Sequence, residues 1–173
     1  MDNILYIVGQ ALGVVAIVLG ILSYQMKTRQ GLVLVQLLTT VTFVIHYFLI
    51  EAWSGMALNA VSTVRNIIYM YVEKKGGSCR KLSVVFAVIM GIVGIVTWQA
   101  WYSVFMVAAL AINCIGMGYT NPQSTRKSIL ITSPMALIYN CFVWSVGGAI
   151  FESMSIVSAA LGIWRNRKGA AAE

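Results

Sequence analysis

Seven side chains of this sequence combine polar chemistry with a strongly apolar sequence context. They comprise a cation, a carboxylate, a histidine, a tyrosine and three carboxamides: His46, Asn59, Arg65, Asn113, Tyr139, Asn140 and Glu152. Arg65 has a permanent charge and a planar fork of donors that fits a carboxylate or a phosphate. Asn59 and Asn113 offer both donors and acceptors. Together these residue types predict a site that binds a small polar solute.

Each of these residues also has a structural interpretation. Arg65 either clamps an anionic group or turns inward to hydrogen-bond with Asn66 or with carbonyl groups of a neighbouring helix. His46, the single histidine, either titrates near neutral pH and gates a path or is a hydrogen-bonded packing residue. Asn59 either contacts solute or joins two helices. Glu152 either relays a proton or is a solvated carboxylate.

The sequence contains no catalytic or metal-binding motif around these residues. It has no HExxH, GxSxG or Walker pattern, and Cys79, Cys114 and Cys141 form no CxxC pair. We therefore expect no enzymatic activity, no metal and no cofactor.

Composition places these residues in a membrane protein. The 173 residues are 60% apolar and 10% charged, with a mean hydropathy of +0.84. The net charge of +7 comes from cations in separated polar stretches, which favours positive-inside anchoring in a lipid bilayer over nucleic-acid binding. Eleven of the twelve cations lie in the stretches Lys27-Arg29, Lys74-Lys81, Arg126-Lys127 and Arg165-Lys168, and the twelfth is Arg65.

The apolar runs between these stretches have the length of membrane-spanning helices. The run Leu82-Tyr119 is uncharged but would measure about 57 Å as one helix, so it must fold back near Trp98-Trp101. Seven spans follow, with Asp2 outside and the Arg165-Lys168 stretch inside. Their predicted bounds are Ile4-Gln25, Leu32-Ile50, Trp53-Val72, Leu82-Thr97, Trp101-Tyr119, Ser128-Ser145 and Gly148-Trp164. Close helix packing is predicted at Gly9, Gly13, Gly20, Gly91 and Gly94.

Spans two and three align with spans six and seven at one constant offset. The alignment predicts two parallel triple-helix units joined by one inversion helix, a three-plus-one-plus-three order. The units cover residues 1–75 and 101–168, the linker helix covers 82–97, and 169–173 form a tail. The offset pairs His46 with Tyr139, Tyr47 with Asn140, Gly55 with Gly148, Asn59 with Glu152 and Ser62 with Ser155.

Helical depth predicts how the polar residues are grouped. His46 and Asn59 fall about 6–9 Å below the outer surface, and the repeat places Tyr139, Asn140 and Glu152 in a facing layer. Arg65 lies near the midplane, where an unpaired arginine costs at least ~2.5–3.5 kcal/mol, so we expect it to face the bundle interior. Its expected neighbours are Thr39, Thr40 and Asn113.

The predicted architecture resembles SWEET sugar transporters and PnuC-type nicotinamide riboside transporters. Pro122-Gln123 resembles the Pro-Gln dipeptide of the PQ-loop group, although the first unit reads Tyr24-Gln25-Met26 instead. Asn59 resembles the asparagine that lines the SWEET pocket. Its partner Glu152 is a carboxylate and so departs from a purely sugar-like pocket. This departure admits a proton-linked or cation-selective step beside facilitated transport.

The sequence also resembles the YgjV family of small bacterial inner-membrane proteins. The spacing His46-x12-Asn59-x5-Arg65 carries this resemblance together with Ser145-Val-Gly-Gly148 and Glu152. It implies an inner-membrane location.

The expected function is transport of a small solute by alternating access. The substrate class stays open among sugars, nucleosides and small organic anions, and so does association into homo-oligomers. Two alternatives remain: a cation channel that uses Glu152 with Thr39 or Thr40, and a non-transporting receptor or assembly factor with a basic inner face.

Overall fold

The computed structural model describes residues 3–25, 29–119 and 122–170, and these residues form seven α-helices without a strand. The predicted all-helical class and the number of helices are confirmed. Within the described residues, none of the helices is both long and apolar enough to cross a membrane. Asp2, Lys27 and residues 171–173 of the predicted tail lie outside the described ranges. The helices are α1 (Asn3–Gln25), α2 (Arg29–Leu49), α3 (Trp53–Lys74), α4 (Arg80–Val96), α5 (Ser103–Met117), α6 (Pro122–Phe142) and α7 (Val146–Ala170).

The helix boundaries lie within three residues of the predicted spans except at the end of α7, which continues six residues past the predicted Trp164 to Ala170, and at the start of α6. The predicted break between the fourth and fifth helices is confirmed, because α4 ends at Val96 and α5 begins at Ser103. Helix α6 begins at Pro122, one turn and a half before the predicted Ser128. Proline suits the first helical position because its missing N–H has no partner to lose there. The polar residues after it therefore belong to the helix and not to a connecting loop.

Six of the helices form a closed ring. Each of α1, α2 and α3 packs against the next, α3 packs against α5, the contacts continue through α6 to α7, and α7 returns to α1. Helix α4 packs on the outside of the ring against α3 and α5. Close backbone packing between the predicted units thus occurs at two places, α1 with α7 and α3 with α5. We call the end that holds the α2–α3, α4–α5 and α6–α7 connections the turn end, and the opposite end the basic end.

The α2–α3 and α6–α7 turns have the same backbone geometry, 93 residues apart. In the first turn the Ala52 N–H donates to the Tyr47 carbonyl at 2.9 Å, and in the second the Ser145 N–H donates to the Asn140 carbonyl at 2.9 Å. Each turn also holds one residue in the left-handed region, which non-glycine residues seldom adopt. These are Glu51 with φ 58° and Trp144 with φ 54°.

Helices α1 and α7 approach each other through glycine. A Cβ on Gly147 would lie 2.4 Å from the Gly13 Cα, so the two backbones are in direct contact. Side chains likewise fill the space beside Gly9, Gly20 and Gly94, in agreement with the predicted packing role. The prediction is wrong for Gly91, where a Cβ would meet nothing within 4 Å.

Large apolar side chains are exposed on the outside of the helices while polar side chains are buried among an apolar core. Val18 on α1 and Ile95 on α4 are examples of the exposed apolar residues. The buried polar residues include His46, Arg65 and Asn66, each at most 2% exposed, and they lie beside buried apolar residues such as Leu58. The interior is therefore mixed in polarity, and its polar part defines the candidate site.

Candidate solute-binding cavity

A cavity of about 100 Å³ lies inside the ring between α2, α3, α5, α6 and α7. One water needs roughly 10–15 Å³ of such space, so this cavity has room for several waters or a small solute. Its wall combines hydroxyl and amide groups with aliphatic and aromatic side chains, one cation and one carboxyl group. The lining residues are Gln36, Thr39, Thr40, Phe43, Tyr47, Asn59, Ser62, Arg65, Met106, Ala109, Leu110, Asn113, Ile129, Thr132, Ser133, Ala136, Phe151, Glu152 and Ser155.

Facing walls of the cavity come from equivalent sequence positions. On every contributing helix the lining residues recur at spacings of three and four, which places them on one face. The lining of α2 and α3 matches that of α6 and α7 at the offset that also relates Tyr47 to Asn140, 93 residues. The matched pairs are Gln36 with Ile129, Thr39 with Thr132, Thr40 with Ser133, Phe43 with Ala136, Asn59 with Glu152 and Ser62 with Ser155.

Arg65 is held on the cavity wall by neutral groups. Its Nε and Nη2 donate to Asn66 Oδ1 at 3.2 and 3.1 Å, and its Nη1 donates to Asn113 Oδ1 at 3.3 Å. Nη1 also lies 3.1 Å from Cys114 Sγ. Among the described residues no carboxylate pairs with this guanidinium, which is only 2% exposed. The charge is therefore hydrogen-bonded but not neutralised.

Ser62 contributes an unsatisfied hydroxyl to the same wall. It lies one turn before Arg65 on α3, is fully buried, and its Oγ has no hydrogen-bond partner among the described residues. A buried polar atom without a partner costs roughly 1–3 kcal/mol. Asn59, one turn earlier, donates from Nδ2 to the Gly55 carbonyl at 2.9 Å. Asn59, Ser62 and Arg65 thus form a polar stripe along the cavity.

Glu152 stands on the opposite wall. It occupies the position on α7 that matches Asn59 on α3, and it lines the cavity together with Ser133 of α6. Since no ion pair joins Glu152 to Arg65, the cavity presents two separate charge-bearing groups on different walls.

The structure brings together four of the seven predicted site residues on this lining: Asn59, Arg65, Asn113 and Glu152. The expected proximity of Arg65 to Asn113 is confirmed by their hydrogen bond, and Thr39 and Thr40 line the same cavity. His46, Tyr139 and Asn140 are not on the lining. They form a hydrogen-bonded cluster nearer the turn end, which contacts the cavity through Tyr47.

His46 is held in place by two partners. Its Nδ1 lies 2.7 Å from the Gly9 carbonyl, which only accepts, so Nδ1 carries a hydrogen. Its Nε2 lies 2.6 Å from Ser145 Oγ, and Ser145 Oγ also accepts from the Gly148 N–H at 3.1 Å. The arrangement fits a neutral imidazole that receives the serine hydrogen. His46 thereby joins α1, α2 and the start of α7.

Tyr139 and Asn140 join the two halves of the ring. The Tyr47 hydroxyl donates to Asn140 Oδ1 at 2.7 Å, and the Gly55 N–H donates to the Tyr139 hydroxyl at 2.9 Å. Asn140 is itself fixed by a bond from its Nδ2 to the Ala136 carbonyl at 2.9 Å. These bonds close the ring between the cavity and the turn end.

Sequence reasoning assigned no site role to several lining residues, chiefly the hydroxyls Ser62, Thr132 and Ser133 and the aromatic Tyr47. The constant offset was the available signal. Once Thr39 and Thr40 are expected beside Arg65, the offset points to Thr132 and Ser133 on the facing wall. In the described part of the chain, no group of three or more His, Cys, Asp or Glu side chains is arranged to hold a metal ion.

Comparison with known proteins identifies a family. No curated protein matches the chain, and no solved structure does. A model of the Imp-YgjV family, described as a bacterial inner membrane protein, matches residues 7–170. Since the match covers nearly the whole sequence, the chain belongs to the YgjV family of bacterial inner membrane proteins.

Proposed function

We propose that this inner-membrane protein transports a small solute by alternating access of two triple-helix units, α1–α3 and α5–α7. The observation that carries the proposal is the cavity between the units, whose facing walls come from equivalent positions such as Thr39 and Thr132. Parallel repeats around a shared central site are a common architecture of secondary transporters, in which one unit moves against the other. The resemblance to SWEET and PnuC-type transporters points the same way.

The distribution of polarity supports a membrane-embedded ring. Leaving large apolar side chains outside while burying an arginine and several amides would be unfavourable in water, but it suits a lipid surround. The described cations near helix ends, including Lys74, Arg80 and Lys127, belong to the basic end, whereas the turn end carries Glu51. By the positive-inside rule, the basic end is cytoplasmic in this proposal and the turn end faces outward.

The hydrogen bonds support a state closed at the turn end. Between the cavity and the turn end, hydrogen bonds that cross between the units include Tyr47 to Asn140, Gly55 to Tyr139 and His46 to Ser145. In the basic half, hydrogen bonds join α3 to α5, for example from the Tyr69 hydroxyl to the Cys114 carbonyl at 3.4 Å. Rocking of the units would break the first set and open the cavity outward.

The test is uptake by the full-length protein in lipid vesicles. Purified protein is first screened by thermal shift against sugars, nucleosides, amino acids and organic acids, and stabilising compounds are then used as labelled substrates. We expect saturable uptake that is lost in Arg65→Ala, because a buried guanidinium on the cavity wall is the strongest available contact for a polar solute. Glu51→Gln, an exposed carboxyl change at the turn end, serves as the control and should transport normally.

Two other results would replace the transporter proposal. Unitary current steps in a planar bilayer would indicate a channel, although the Arg65 charge in the cavity opposes cation passage. A stoichiometric protein partner together with the absence of flux for every compound would indicate a receptor or an assembly factor. Arg65→Ala with unchanged uptake would show that the cavity is not the transport site.

A further inference from the structure

The cavity holds one group that is always positive and one that ionises to negative, and the two do not pair. Arg65 is the cation of the cavity lining, and it donates to the neutral side chains of Asn66 and Asn113. Glu152 lines the wall opposite Arg65. The remaining polar lining groups are hydroxyls and amides. The interior is therefore a site with two poles.

The poles lie at different depths. Glu152 is equivalent to Asn59, and Arg65 follows Asn59 by six residues on α3, about 9 Å along the helix at 1.5 Å per residue. Helical side chains lean toward the N-terminus of their helix, which brings the guanidinium back toward the level of Glu152. Ser62 Oγ, which is buried and finds no hydrogen-bond partner in the described part of the chain, lies between the two levels. A ligand that joins the poles is therefore short and passes an unsatisfied hydroxyl.

The charges of Arg65 and Glu152 favour some classes of ligand over others. A monoanion at Arg65 would meet an ionised Glu152 without a counter-charge, and a monocation at Glu152 would meet the guanidinium. A neutral polyol would leave both poles uncompensated in a site of low dielectric. A small zwitterion compensates both.

We propose that the cavity binds a small amino acid in zwitterionic form, with its carboxylate on Arg65, its ammonium group on Glu152 and Ser62 Oγ hydrogen-bonded to the carboxylate. The proposal rests on the proposed solute-binding function and narrows its substrate class. The zwitterion adds no net charge to the cavity, and its carboxylate gives the Ser62 hydroxyl a hydrogen-bond partner. A cavity of about 100 Å³ limits the ligand to a few heavy atoms.

The test compares charge patterns at fixed length in the full-length protein. The probes are glycine, β-alanine, 4-aminobutyrate and 5-aminopentanoate, each beside the alkanoate that lacks the amine and the alkylamine that lacks the carboxylate. Glycerol is the neutral probe. Binding is measured by calorimetry and thermal shift. We expect one amino acid length to bind best, with its alkanoate and alkylamine weaker by about tenfold or more, the effect of losing one charge-assisted contact.

Two variants test which charged group of the ligand binds at Arg65 and which binds at Glu152. In Glu152→Gln, the preferred amino acid should weaken by about tenfold, while the alkanoate of the same length binds as well as before or better. In Arg65→Gln, both should weaken. Glu51→Gln should change neither. Unfolding temperature without ligand is recorded for each variant, so that a loss of fold is distinguished from a loss of binding.

The outcomes separate this inference from the proposed function. An alkanoate, an alkylamine or glycerol that binds wild-type protein as tightly as every amino acid would overturn the zwitterion but leave solute transport standing. Amino acid binding without uptake in vesicles would support the site and refute transport. No binding by any class would refute both.

Discussion

At the scale of single residues, the cavity combines satisfied and unsatisfied polar atoms. Ser145 and Ser62 are both buried serines, at 1% and 0% exposure. Ser145 Oγ bonds to His46 and to the Gly148 N–H, whereas Ser62 Oγ has no partner among the described residues. The Ser145 hydroxyl therefore stabilises the fold, whereas the Ser62 hydroxyl does not. A hydroxyl that costs stability is what a binding site retains for its ligand.

These two serines form a matched pair of substitutions. Ser145→Ala should lower the free energy of unfolding by about 1–3 kcal/mol, because His46 Nε2 and the Gly148 N–H both lose their partner. Ser62→Ala should leave it unchanged or raise it by up to about 1 kcal/mol, because an unpaired buried hydroxyl is removed. Midpoints of thermal unfolding in detergent, without added solute, decide the question. Equal losses in the two variants would mean that Ser62 Oγ has a structural partner.

Asn113 offers a second change at this scale, since its Oδ1 accepts from Arg65 Nη1 at 3.3 Å. Asn113→Asp keeps the shape and gives the guanidinium a carboxylate. We expect a higher unfolding midpoint and uptake reduced by about tenfold or more, because the internal ion pair competes with the solute. Asn113→Leu, which removes the bond without adding charge, should lower the midpoint. Normal uptake by the aspartate variant would place solute recognition away from Arg65.

At the scale of helices, glycine sets how closely α1 and α7 approach. Gly147→Ala should lower the free energy of unfolding by about 1–3 kcal/mol, since its Cβ would meet the Gly13 Cα and only movement of a whole helix relieves that contact. Gly91→Ala is the control. It introduces the same methyl group into open space on α4 and should be neutral or stabilise by up to about 1 kcal/mol through helix propensity.

Thermal unfolding of both glycine variants checks this pair, and retention of the solute-dependent shift shows whether the cavity survives. A tolerant Gly147→Ala would mean that the α1–α7 contact loosens at little cost. That result would also weaken the interpretation that the two triple-helix units pack tightly against each other through α1 and α7.

How far the sequence predicted these elements depends on the kind of signal. Apolar length sufficed for the seven helices and for the break between α4 and α5, because hydropathy changes abruptly at the interfacial tryptophans. It failed at α6, where the polar residues after Pro122 read as a loop although they are helical. Polarity reports the surroundings of a segment, and only local chemistry such as the N-terminal proline reports where a helix begins.

The sequence predicted how deep the site residues lie along their helices, but it did not predict which of them face the cavity. Counting residues along α2 and α3 placed His46 and Asn59 in one layer, yet only Asn59 lines the cavity. The difference lies in helix rotation, which is set by packing partners such as Gly9 and Ser145 that no spacing within α2 reveals. The constant offset succeeded where periodicity could not, because it compares two helices that occupy equivalent places.

At the scale of the whole molecule, the equivalent turns and facing walls describe two similar units with unlike contacts. The bond between Tyr47 and Asn140 joins positions that the offset makes equivalent, so it lies close to the axis that would relate the units. Tyr47 also lines the cavity, which places this bond directly between the solute site and the turn end. In the proposed transport cycle it must break each time the cavity opens outward.

Tyr47→Phe should therefore favour the outward-open state. Losing one hydrogen bond of about 0.5–1.5 kcal/mol changes the population by roughly two- to tenfold. The readout is labelling of Thr132→Cys on the cavity wall by an impermeant maleimide added outside intact cells, with exposed Cys141 replaced by serine and Cys79 and Cys114 left buried. Tyr102→Phe, which removes a turn-end hydroxyl without a hydrogen bond among the described residues, is the control. Faster labelling in Tyr47→Phe alone supports alternating access, and equal rates in all three proteins contradict it.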